Sequence, residues 1–313
     1  MKPSAKEKLN KVFKVFITGC FLSCCFLLAR SLFLYFMKHE TNFYYEAFSV
    51  LLHPSYFSMY LNFSIIVLFF FMKGKTPLFP YFPIFPFPYF LIFFFSSCIL
   101  LLSSKSGLIG LMLIYISLIT WFIFVRKKYV AGITGAVIIL FIVLAGLKFM
   151  PEPAIRLMSA IKTVIKKEKI ETNDEDGTAV RVLLWKAAGT IVSEHFWTGV
   201  GTGDTKDALM EKYKSAGISH ALERKLNAHN EYLQVFIALG IVGFLWLTAS
   251  HIIMFYYGFK EKKPLLVIFT LLIVLNFFPE SMLETQAGVM FYGFFSSLLV
   301  FSYPSNVHSN SKS

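Results

Sequence analysis

His229 lies beside Asn230 and Glu231, where a polar stretch gives way to a long apolar run. An imidazole at such a boundary can take a proton from a hydroxyl or donate to an anion. A helix that starts there also offers free N–H groups that favour negative charge. Arg181 and Trp185 are four residues apart and share a helix face. The guanidinium presents a planar donor fork that matches phosphate oxygens. Lys105 belongs to the run SSKSG at 103–107, where two serines and a glycine allow a tight turn whose backbone can face a phosphate. Arg30 falls near the end of the first apolar run, and a charge inside apolar sequence is a functional candidate by default. Glu280 and Glu284, in PESMLETQAG, can pair with Arg181 or Lys105 or serve as a base. Each residue also has a plainer reading. The histidine can cap its helix, Arg181 can sit on a surface helix beside a packed tryptophan, Lys105 and Arg30 can snorkel, and the glutamates can belong to a solvated turn.

Other chemistries lack support. GVGTGD at 199–204 has no following Lys-Ser/Thr and no preceding strand, so it reads as a turn and not as a phosphate loop. HExxH motifs and Cys/His clusters are absent, so no metal is expected. No aspartate-rich motif for a metal–nucleotide-sugar complex appears, and no cofactor is implied. Cys20, Cys24, Cys25 and Cys98 all lie in apolar runs and read as small buried residues.

The elements that must position these residues follow from composition. The 313 residues are 56% hydrophobic and 15% charged, with 37 Phe and a mean hydropathy of +0.64. Soluble chains carry roughly a quarter charged residues, so a soluble fold and a disordered chain are both excluded. The net charge of +12 calls for a membrane reading, and no nucleic-acid partner is expected. The expected fold is an all-α polytopic membrane protein with about eight transmembrane helices, over 12–37, 56–72, 86–102, 107–125, 129–149, 231–259, 264–278 and 287–303. Prolines at 77, 80, 83, 86 and 88 favour extended backbone, so the third helix should start near Phe87. Three regions result: helices one to five in 1–149, a large loop in 150–230, and helices six to eight in 231–313.

Short-loop lysines and arginines then fall on one side, before the first span and after the second, fourth, sixth and eighth. Positive charge is retained in the cytoplasm. Both termini are therefore expected inside, with 38–55, 103–106, 150–230 and 279–286 outside. The large loop reads as partly helical and periplasmic. Ile155, Met158, Ile161 and Ile165 suit a helix on the membrane surface. Residues 171–177 form an acidic linker. Val180, Leu183, Leu184, Ala187 and Ile191 give a second helical period over 179–195, and 205–216 a short polar helix. Asn227 is the expected N-cap of the sixth span.

RVLLWKAAGTIVSEHFWTGVGTGD, followed by NAHNEYLQVFIALGIVGF, resembles the core of the O-antigen ligase family, which also contains O-antigen polymerases and O-linked oligosaccharyltransferases. Arg181, Trp185, the Gly199–Gly201 turn, and His229–Asn230 opening a helix with a Gly-x-x-Gly break at Gly240 and Gly243 carry the likeness, and SSKSG resembles the family's Ser-x-Arg-Gly motif. The resemblance covers roughly 85–250. Lys105 stands where an arginine is more usual, and family members usually carry more helices before this core, so the chain reads as N-terminally shortened. The resemblance implies a donor glycan on undecaprenyl diphosphate and an acceptor sugar hydroxyl on lipid A core or on a growing polysaccharide. It also implies a multi-pass protein of the bacterial inner membrane, among membrane lipids. His229 and Arg181 would be catalytic. Lys105, Arg30, Trp185, Asn230, Glu280 and Glu284 would bind diphosphate or acceptor. These motifs do not separate ligase from polymerase or protein glycosyltransferase. Two other classes fit the helices: a lipid-linked saccharide transporter or flippase, and a non-catalytic partner in envelope assembly. No inverted repeat favours the transporter.

Overall fold

The computed structural model describes residues 5–72, 87–130, 133–135, 137, 155–156, 158–159, 161–163 and 177–301. Every regular element among them is helical. Four helices are long and apolar enough to cross a membrane, and three more are apolar but shorter. The expected span 129–149 lies largely outside the described residues, as do the proline run, the linker 171–176 and part of the surface helix at 155–165. The chain divides into two compact units, 1–157 and 158–313.

The first unit contains α1 (Ala5–Lys38), α2 (Tyr45–Phe48), α3 (Pro54–Met72), α4 (Phe87–Leu102) and α5 (Lys105–Thr120), the last running into a π-turn at Trp121–Val125. α4 starts at Phe87, because Pro86 and Pro88 are tolerated only before or within a first helical turn. α1 buries Phe13, Ile17, Cys20, Cys24 and Leu27, spaced by three or four residues, while Val15, Leu22, Phe26 and Phe33 stay exposed. A helix apolar on both faces fits a setting where one face meets protein and the other lipid. α3 is buried almost all round, against α1, α4 and α5.

In the second unit, α6 (Gly177–Glu194), α7 (Thr205–Ser215) and α8 (Ser219–Glu223) precede α9 (Glu231–Lys260) and α10 (Pro264–Phe277). A 3-10 turn (Met282–Glu284) then leads to α11 (Gln286–Phe301). The period that marks α6 in the sequence is the face it buries: Val180, Leu183, Leu184, Ala187 and Ile191 pack with Leu209, Tyr213 and Ile237. Burial pushes the Tyr213 phenol well above its usual pKa. It stays a donor, 3.3 Å from the Asn227 carbonyl, and holds the segment that leads to His229.

One expectation needs correcting. The N-cap of α9 is Asn230, whose side chain accepts from Leu233 N at 3.0 Å. Asn227 instead accepts from the His229 N–H at 3.0 Å and tightens the turn before the helix. The Gly-x-x-Gly break that the resemblance implies in 231–259 falls at its first glycine. Gly240 adopts φ 63°, ψ −159° and breaks α9 into two arms. The turn after α6 takes up the backbone groups freed there. Val200 N donates to Ile237 O at 2.8 Å, Gly201 N to Ala238 O at 3.0 Å, and Ile241 N to Phe196 O at 2.9 Å. A Cβ at Gly199 would meet Ala238 O at 2.6 Å, and one at Gly240 would strike the Trp197 carbonyl. The two glycines are therefore required for two backbones to touch.

Candidate functional site

Three segments of the second unit meet at one carboxylate. α6 projects Arg181 and Trp185, the turn before α9 carries His229 and Asn230, and the turn after α10 carries Glu280. Arg181 Nη2 donates to Glu280 Oε1 at 2.6 Å, and His229 Nδ1 lies 3.2 Å from Glu280 Oε2. Both interactions are sheltered: side-chain exposure is 5% for Glu280, 18% for Arg181 and 24% for His229. Arg181 is further fixed by Nε to the Pro279 carbonyl at 2.8 Å and Nη1 to the Gly177 carbonyl at 3.1 Å. A guanidinium has five N–H donors, so two of them remain for another acceptor.

The imidazole is held as firmly. His229 has φ 44°, a left-handed conformation that costs about 1–3 kcal/mol in a residue with a Cβ. Asn227 holds its N–H, and the Trp185 indole donates to its carbonyl at 3.2 Å. An ionised carboxylate only accepts, so Nδ1 is the ring nitrogen that donates toward Glu280, and Nε2 is the one left facing away from it. The turn that supplies Glu280 is itself anchored. Asn230 N donates to Ser281 Oγ at 3.2 Å, and Leu283 N to Glu231 Oε2 at 2.7 Å.

The structure thus brings Arg181, Trp185, His229, Asn230 and Glu280 together. Glu284 stays exposed in the 3-10 turn, outside this set of hydrogen bonds. The solvated-turn reading fails for Glu280. Lys105 and Arg30 belong to the other unit. Lys105 opens α5 behind Ser104, whose side chain accepts from Gly107 N at 3.4 Å. Arg30 donates to the Ala47 carbonyl at 3.0 Å. That unit holds a residue the motifs did not single out. Arg156 lies 3.5 Å over the Tyr45 ring and donates through Nε to the Ser103 carbonyl at 3.1 Å, at the head of the SSKSG run. Ser281 and Glu231 were likewise missed. A buried carboxylate next to His229 in the sequence was the available signal for Glu231; for Arg156 there was none but its charge.

An all-helical membrane protein with a buried Arg–Glu–His cluster beside the N-terminus of an apolar helix is a candidate enzyme of lipid-borne substrates. The family model described as O-antigen ligase matches residues 90–248, and the chain belongs to that family. No curated protein matches the chain. Membership makes it a bacterial membrane protein of the glycan-transferring ligase and polymerase kind, with lipid-linked glycan and acceptor as its general substrates. Glu280 lies beyond the matched segment.

Proposed function

We propose that the protein transfers a glycan from undecaprenyl diphosphate to a sugar hydroxyl, on lipid A core or on a growing polysaccharide, at the periplasmic face of the inner membrane, with both termini cytoplasmic. The observation that carries this reading is the single Glu280 carboxylate bound to both Arg181 and His229. The acceptor hydroxyl gives its proton to His229 Nε2 as its oxygen attacks the anomeric carbon. The bond from that carbon to the diphosphate oxygen breaks, and the electron pair leaves with the lipid diphosphate. Glu280 keeps the imidazole in the accepting tautomer and stabilises the imidazolium. The remaining N–H groups of Arg181 meet the negative charge that grows on the leaving group. Lys105 and Arg30, in the first unit, are the cations proposed there for an anionic group of the substrate. Asn230 and Trp185 fix the backbone on which His229 stands, and Glu284 faces the acceptor. A diphosphate leaves without protonation, so no metal or cofactor enters the scheme.

The test is transfer in reconstituted vesicles. His229→Ala and Arg181→Ala each abolish formation of the new glycosidic bond and release of undecaprenyl diphosphate, while membrane insertion is unchanged. Full transfer by either variant refutes the assignment. Movement of donor across the bilayer with no bond formed would instead mark a transporter.

A further inference from the structure

Residues 229–231 and 279–283 run side by side and pair like the rungs of a ladder. His229 Nδ1 meets Glu280 Oε2 at 3.2 Å. Asn230 N donates to Ser281 Oγ at 3.2 Å. Leu283 N donates to Glu231 Oε2 at 2.7 Å. Each rung joins residues 51 or 52 apart in the chain. Arg181 closes the near end, through Nε to the Pro279 carbonyl and Nη2 to Glu280 Oε1. Arg181, His229 and Glu280 have roles in the proposed chemistry. Glu231, at the far end, has none there.

Glu231 opens α9 and is 1% exposed. The free N–H groups of a first helical turn favour an acidic side chain, which offsets part of the cost of burying it. Helix stability alone does not call for burial, because an exposed acid in that turn gains the same without losing its water. What burial adds is the bond to Leu283. The turn is also closed from its other side. Thr285 Oγ1 donates to the Met282 carbonyl at 3.1 Å and accepts from Gly288 N at 3.2 Å. A Cβ at Gly288 would strike that same carbonyl. The backbone at 282–283 is thus held between the start of α9 and the start of α11. A slip of one residue along an extended segment is about 3.3 Å. That is enough to take Glu280 out of hydrogen-bond reach of His229.

We propose that Glu231 is a positioning residue for glycan transfer: by holding Leu283, its carboxyl fixes the register in which Glu280 meets His229 and Arg181. The inference rests on the proposed function for the roles of Glu280 and His229. Glu231 acts through the turn and touches neither donor nor acceptor.

Transfer by variants of the full chain in reconstituted vesicles tests it, with thermal melts in detergent run beside it. Glu231→Ala should lower kcat about 10- to 100-fold, as expected when a reacting group is misplaced by an ångström or so. Glu231→Gln keeps a carbonyl oxygen for Leu283 N and should hold kcat within about threefold of the wild type. In a Glu280→Gln background, Glu231→Ala should lower kcat by less than about a further twofold, while its cost in the melts persists. If Glu231→Ala does not fold, Glu231→Asp, which draws the carboxyl back by one methylene, carries the same comparison in both backgrounds. Wild-type kcat in the alanine or aspartate variant, an equal loss in both backgrounds, or a glutamine variant as impaired as the alanine one overturns the proposal. His229→Ala separates the two failures. If it keeps full transfer, the site chemistry itself is wrong. If it loses transfer while Glu231→Ala keeps its kcat, only the positioning role falls.

Discussion

The two units handle their arginines in different ways. In residues 158–313 the guanidinium of Arg181 meets a carboxylate at 2.6 Å, and that carboxylate also meets an imidazole. In residues 1–157 Arg30 donates to the Ala47 carbonyl, and Arg156 donates to the Ser103 carbonyl and lies over the face of Tyr45. A carbonyl steers a guanidinium but adds no base. A carboxylate shared with histidine orients a proton acceptor and balances the charge that forms when the proton arrives. On the proposed reading, the cations of the first unit hold an anion and the cluster of the second moves a proton.

The largest expected effect breaks that contrast at its source. Glu280→Gln keeps the shape of the cluster but loses the charge that orients His229, and transfer should fall on the order of 10²–10⁴-fold. Glu280→Ala also leaves Arg181 sheltered without its counter-charge and should cost about 3–5 kcal/mol of stability, read from detergent thermal melts. Wild-type transfer by Glu280→Gln would reduce the cluster to a structural ion pair.

Next comes the latch that shapes α9. Gly240→Ala drives a methyl group into the Trp197 carbonyl at a positive φ and should cost more than about 2 kcal/mol. Gly203, in the same loop, has open space around it, and its alanine variant should stay within about 0.5 kcal/mol. Equal melting temperatures for the two variants would show that the break needs no glycine.

Lys105 sharpens the comparison from the side of the first unit. If that unit only holds an anion, Lys105→Ala should raise the donor KM about tenfold and leave kcat nearly unchanged. Lys105→Arg, which supplies a planar fork, should match or improve on the lysine. A fall in kcat alone would place chemistry there as well.

The smallest effect concerns His251, which is 5% exposed among Tyr232, Phe277 and Tyr292. Its ring nitrogens make no hydrogen bond of ordinary geometry. His251→Leu should leave stability equal or slightly higher in thermal melts, because an unsatisfied buried polar group is removed. A marked loss would reveal a polar partner for this ring.

Much of this architecture is legible in the chain. The apolar runs mark α1, α3, α4, α5, α9, α10 and α11 to within a few residues at most of their ends, except at the head of α1. The helical period of α6 is the face it buries. The resemblance implies a Gly-x-x-Gly break at Gly240 and Gly243, but the apolar run alone does not, since the same pattern there reads equally as a tight helix contact. Only the hydrogen bonds from Val200 and Gly201 distinguish the two. Glu280 looked like one of two interchangeable acids in a polar turn. What separates it from Glu284 is a neighbour 99 residues away and another 51 residues away.

The sequence by itself determined the helices, their apolar faces and the presence of an imidazole and a guanidinium in one polar stretch. These depend on side-chain type and on a local period of three or four residues. The tertiary structure decided that α9 folds back and that one carboxylate serves both Arg181 and His229. Contacts across such separations depend on how the helices pack and where their turns end, and no local pattern in the chain encodes either.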